Sequence, residues 1–170
     1  MALHRCVHDV ARSAVAPGRW LRWQPHATSK TWTLIAAVLG SSITYLDATI
    51  VTVALPRIGR ELPVHLFGVL EAQSYVYTGY LLTESALIVL AGALSDALGR
   101  RRMFTFGVAG FGVASLLCGL APSMELLILF RVLQGAAGAL LVPGALSLIS
   151  ATFDGEEKGR AIGTWSGTAA

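Results

Sequence analysis

The stretch GSSITYLDATIVTVALP, Gly40 to Pro56, decides the fold. It is apolar enough to cross a bilayer, yet it carries one acid, Asp47. A carboxylate in hydrocarbon is costly, so an acid in such a helix faces the protein interior or a water-filled cavity. Working outward, no Asp, Glu, Lys or Arg occurs from Thr31 to Leu46, Ala72 to Thr83, Met103 to Met124 or Val132 to Phe153. Charged residues make up 14% of the 170, below the ~25% usual in soluble domains. Mean hydropathy is +0.63. A soluble helix needs a polar face, which these runs lack. The pattern is that of an all-α polytopic membrane protein embedded in a lipid bilayer, whose spans need roughly 20 apolar residues each.

Spans are expected at about 33–55, closed by Pro56, and at 72–94, 103–121 and 125–149, with a fifth helix starting near 159. Pro122-Ser123 gives a very short turn, and Pro143 is expected to bend the fourth span. Residues 1–30 read as a basic, disordered tail, and residues 31–170 as a partial helical bundle. No signal-peptidase site stands out, so the first span reads as retained. The net charge of +3 is dispersed between the spans, so it argues for topology and against nucleic-acid binding. Lys and Arg crowd the tail, the Arg100–Arg102 gap and the gap after span four, while the other side has only Arg57 and Arg60. The positive-inside rule puts the N-terminus in the cytoplasm and the chain in the cell membrane. Cys6 and Cys118 are not expected to pair, and the His4–Asp9 cluster is too small a ligand set for a metal. The spans hold no metal spacing, Gly-x-Ser-x-Gly or Cys–His pairing, so neither an enzyme nor a cofactor is indicated.

Asp47, Glu84 and Arg131 are ionisable residues inside the apolar runs. Such groups mark an ion or substrate path, or tie helices together as a buried pair. Asp47 lies fourteen residues into the first span, about 21 Å deep at 1.5 Å per residue and so about 9 Å from the far edge of the core. Arg131 lies six residues into the oppositely directed fourth span, also about 9 Å from that edge. The two are expected to face each other or to share a water-filled cavity. Gln73, Tyr77, Tyr80 and Glu84 recur on one helical face, which lines a cavity or, for the tyrosines, anchors the interface. Small residues at Gly110, Ala114, Cys118, Gly135, Gly138 and Ala139 suit close helix packing.

Three segments carry a resemblance: LDATIVTVALP (Leu46–Pro56), GALSDALGRRRMF (Gly92–Phe104) and RVLQGAAGALLVPG (Arg131–Gly144). Together they look like signatures of the major facilitator superfamily, and resemble its drug:proton antiporters of the fourteen-span branch. The resemblance implies the first four helices and the start of a fifth of an N-terminal bundle. It also implies a transporter exchanging protons for small, cationic or lipophilic substrates by alternating access, with a further half needed to complete the cavity. Asp47, Arg131 and Gln134 are then implied in proton coupling or substrate binding; Glu84 and Tyr80 are weaker candidates that rest on their shared helical face and not on the resemblance. Gly92, Asp96, Gly99, Arg100 and Arg101 would form a cytoplasmic gating loop, Gly92 allowing close helix approach and Asp96 meeting a helix N-terminus or a basic residue of the other half. The sequence departs from the pattern at Ala97, where a basic residue is usual, at Thr52, usually Asn, near Tyr75, usually Trp, and at Glu84, where no acid is expected. Other readings are a sugar or metabolite facilitator, against which the first segment argues, and a truncated, non-transporting fragment.

Overall fold

The computed structural model describes residues 27–66 and 68–169. The expectations for residues 1–26, including Cys6 and the His4–Asp9 cluster, lie outside the described residues. Among the described residues six helices follow one another: α1 Ala27–Glu61, α2 Val69–Leu98, α3 Arg100–Gly119, α4 Met124–Gly138, α5 Leu141–Thr152 and α6 Gly155–Ala169. Among the described residues four helical segments are long and apolar enough to cross a membrane: α1, α2, α3, and α4 with α5 as one unit. Val53, Leu82, Val89 and Leu116 are 69–80% exposed on the outer faces. So large an apolar surface is suited to lipid and not to water.

Pro56 departs from expectation, and Pro143 interrupts the fourth span upstream of its own position. Pro56 does not close the first helix, which runs on to Glu61. An Arg57 Nε to Glu61 Oε1 bond of 2.8 Å and an Arg60 Nε bond to the Pro56 carbonyl at 3.2 Å brace the turn that follows it. Pro143 sits inside α5, and the break falls upstream of it, at Ala139–Leu140. A helical proline lacks a donor for the carbonyl four residues back and crowds it, and here that residue is Ala139. The gap is bridged by a tighter turn, in which Leu140 N–H donates to the Ala137 carbonyl at 3.2 Å. Helix also begins at Ala27, inside the segment expected to be tail, and α6 begins at Gly155, a turn earlier than expected.

α4 packs chiefly against α2 and α3, while α1 packs against α5, α6 and α2. The glycines set these approaches. A Cβ at Gly135 would run into the Tyr80 carbonyl of α2, and one at Gly110 would stand 3.3 Å from Ala137 Cβ. α2 and α3 are joined by Gly99 alone, at φ 103, a conformation that side chains disfavour. The core forms two apolar layers. One holds Ala37, Tyr80, Phe104, Phe111, Leu141, Ala145 and Ile149. The other holds Val51, Ala72, Val76, Met124 and Leu127. On α1, Ser41, Thr44 and Asp47 fall between the levels of Ala37 and Val51. On α4, Arg131 and Gln134 fall between Leu127 and the break. A polar layer is thus enclosed between two dry ones.

Candidate functional site

Asp47 projects from α1 into this polar layer and meets α4. Arg131 Nη1 donates to Asp47 Oδ2 at 2.6 Å, and Gln134 Nε2 donates to Asp47 Oδ1 at 3.0 Å. The two donors lie three residues apart on α4, so one helical face presents both. The Asp47 and Arg131 side chains are only 12% and 8% exposed, which makes this a buried ion pair. Cys118 Sγ of α3 donates to Gln134 Oε1 at 3.4 Å and extends the network to a third helix. Arg131 Nε is buried without a hydrogen-bond partner, so the guanidinium is only partly satisfied. Earlier on the same helix, Ser41 and Thr44 are buried, with Thr44 Oγ1 donating to the Ser41 carbonyl at 2.7 Å and Trp165 Nε1 of α6 donating to Ser41 Oγ at 3.0 Å.

Glu84 occupies a second position. Its carboxylate and the Tyr80 hydroxyl converge over Gly138, where a Cβ would lie 3.0 Å from Tyr80 Oη and 3.4 Å from Glu84 Oε1. Tyr80 is 6% exposed, and its hydroxyl is buried without a hydrogen-bond partner. Of the stripe expected on α2, Tyr80 is buried, Glu84 and Gln73 are half-buried, and Tyr77 is exposed. Gln73 is occupied in holding α2 to α1 through the Leu55 carbonyl at 3.0 Å.

At the other end, Arg100 joins the α2–α3 corner to α5. It bonds Asp96 Oδ1 through Nε at 3.2 Å and the Ser147 carbonyl through Nη1 at 3.3 Å. Asp96 therefore meets a basic residue of its own corner, while Arg101 is exposed. Gly92 lies in open space. Among the described residues nothing lies within 4 Å of a Cβ placed there.

Sequence reasoning aligned Asp47 with Arg131 by depth, and the structure brings them together. It missed Ser41 and Thr44, although their spacing to Asp47 puts all three on one face. It read Cys118 as a packing residue only. It also missed Glu125, whose carboxylate accepts the His65 and Leu66 N–H groups at 2.6 and 3.1 Å and fastens the α1–α2 loop to the start of α4.

The family model described as Major Facilitator Superfamily matches residues 37–170, from the first buried alanine of α1 through α6. The chain belongs to the major facilitator superfamily. Within the superfamily it is similar to a tetracenomycin C resistance and export protein of Streptomyces glaucescens, at 41% identity over 91% of this chain and 27% of that protein. A puromycin resistance protein of Streptomyces alboniger is 39% identical over 94% of this chain and 29% of its own length. A multidrug resistance protein of Mycobacterium tuberculosis is 42% identical over 81% of this chain and 25% of its own. The chain spans about a quarter of the length of these relatives. This member of the major facilitator superfamily is thus a multi-pass membrane protein, and its relatives are drug-resistance and export proteins.

Proposed function

We propose that this chain supplies the first helices of a proton-coupled exporter of drug-like, cationic or lipophilic small molecules, working by alternating access in the cell membrane with its N-terminal end in the cytoplasm. The observation that carries the reading is the buried Asp47–Arg131–Gln134 constellation bridging α1 and α4. An ionised Asp47 holds the two helices together through a charged bond and a neutral one. A proton on that carboxylate removes its negative charge and weakens the hold of Arg131, so protonation and helix separation are linked. Opening to one face and then the other lets the carboxylate load a proton on one side and release it on the other. Gln134 orients the carboxylate, and Cys118 in turn holds the Gln134 amide. On the cytoplasmic side, the Asp96–Arg100–Ser147 linkage, with Gly99 at the corner and Arg101 beside it, would bias the equilibrium between the two openings.

The reading is tested in a full-length chain in everted membrane vesicles. Fluorescent-dye export is driven by an imposed pH gradient. Asp47→Asn is expected to abolish gradient-driven export while leaving the protein in the membrane. Export by that variant at the parent rate would refute proton coupling through Asp47.

A further inference from the structure

We propose that the Gln134 amide turns over when Asp47 takes up a proton, and that Cys118 is the positioning residue that holds it in the orientation an ionised Asp47 requires. This switch rests on the exporter reading of the same site and adds a regulator to it.

Gln134 is fully buried, so bulk water does not reach its side chain. It stands between two groups, with Nε2 donating to Asp47 Oδ1 at 3.0 Å and Oε1 accepting from Cys118 Sγ at 3.4 Å. An ionised carboxylate only accepts hydrogen bonds, so it needs the nitrogen end of the amide. A protonated one carries an O–H and donates, so the oxygen end suits it. Arg131 Nη1 occupies Asp47 Oδ2, which leaves Oδ1, the oxygen facing Gln134, for the proton. Turning the amide by half a revolution exchanges its two ends in place and shifts no other heavy atom. The oxygen then faces Asp47 and the nitrogen faces Cys118. Arg131 cannot answer the proton in this way, because a guanidinium only donates.

Cys118 is suited to both orientations. A thiol is a weak donor and its sulfur a weak acceptor, so it donates to the amide oxygen in one state and accepts from the amide N–H in the other. Hydroxyls in these helices are committed locally: Ser42, Thr49, Thr52, Thr78, Thr83 and Thr105 each donate to the carbonyl four residues back on their own helix. The Cys118 thiol reaches across to α4 instead. Its weak donation favours the orientation that serves an ionised Asp47, and gives way when the proton arrives. The charged and titratable groups within reach of Asp47 are few. α4 brings Arg131, α3 brings Cys118, and α2 brings Tyr80 and Glu84. α5 has none, and α6 carries its own from Glu156 to Arg160, at the end where Glu157 meets Lys30. Glu84 also titrates, so the test separates it from Asp47.

The test reads the S–H stretching band in infrared difference spectra of the full-length protein in detergent, with Cys118 as its only cysteine. At alkaline pH the band is expected at the low frequency of a thiol bonded to an amide oxygen. Acidification is expected to move it up to the position of an unbonded thiol, because the turned amide no longer accepts from it. Asp47→Asn is expected to remove that pH dependence and Glu84→Gln to keep it. A band that stays at the bonded position at every pH, or a change that survives Asp47→Asn, would overturn the switch. The first of these outcomes needs no substitution at Asp47, Gln134 or Cys118. In gradient-driven dye export, Cys118→Ala is expected to move the pH midpoint up by about half a unit, the size of one weak neutral hydrogen bond that favoured the ionised form. An unmoved midpoint would remove Cys118 from the positioning role. The switch and proton coupling fail separately, because dye export by Asp47→Asn reports on coupling, whereas the S–H band reports on the amide whether or not export is proton-driven.

Discussion

Asp47 has two donors and water has little access to it, so its charge depends on Arg131. Removing one member of a buried pair leaves the other uncompensated, at a cost of about 3–5 kcal/mol. Arg131→Ala is therefore expected to lower thermal stability in detergent by that order, and Asp47→Ala on the same chain is expected to restore part of it. A double-mutant cycle with no coupling energy would contradict the pairing. The pairing was legible because depth in a bilayer can be counted in residues, and charges at equal depth on neighbouring helices have few other partners. Gln134 was legible only through the resemblance, since an amide leaves no trace in a charge pattern. Ser41 and Thr44 were hidden by their smallness, because helices in lipid carry such residues on either face.

At the scale of helices, glycine spacing tells less than glycine surroundings. Gly135 and Gly92 both occur in recognised signatures, but only Gly135 lies against backbone. Gly135→Ala is expected to push α4 off α2 and lower thermal stability in detergent, whereas Gly92→Ala leaves it within ~0.5 kcal/mol. Equal losses at the two positions would contradict the packing described. The prolines show the complementary limit. A proline restricts the backbone before it, yet whether the helix stops depends on what braces the next turn, and at Pro56 that bracing comes from side chains of Arg57, Arg60 and Glu61. At Pro143 the strain falls on the carbonyl four residues earlier, so the break is displaced from the residue that causes it.

At the scale of the molecule, the start of α1 is tied to α6. Lys30 Nζ meets Glu157 Oε2 at 2.8 Å and lies 5.8 Å from the centre of the Phe153 ring. The hydrogen bond and charge of Lys30 hold the Glu157 carboxyl below its ordinary range of about 4.5. A lowered carboxyl pKa stabilises the tie above the ordinary value, and that contribution is lost as pH falls through the lower one. Fluorescence of Trp165, in a variant lacking the other tryptophans, is expected to change on acidification below about pH 4.5. Glu157→Gln is expected to remove that acid-side change, and an unchanged transition would refute the tie. The sequence could not show it, since Lys30 and Glu157 are 127 residues apart and both read as surface charges. The break at Ala139–Leu140 has a mechanical consequence. It divides the fourth crossing into a post, α4, and an arm, α5, whose relative direction a bend at this turn would change. Ser147 lies seven residues along that arm from Leu140, a radius of about 10 Å. A swing of about 20°, the size of a sharp helix kink, displaces it by about 3–4 Å. The Arg100 bond to the Ser147 carbonyl spans 3.3 Å, so a stroke of that length is enough to unhook the corner from the arm while the post, with Arg131 on it, stays in place.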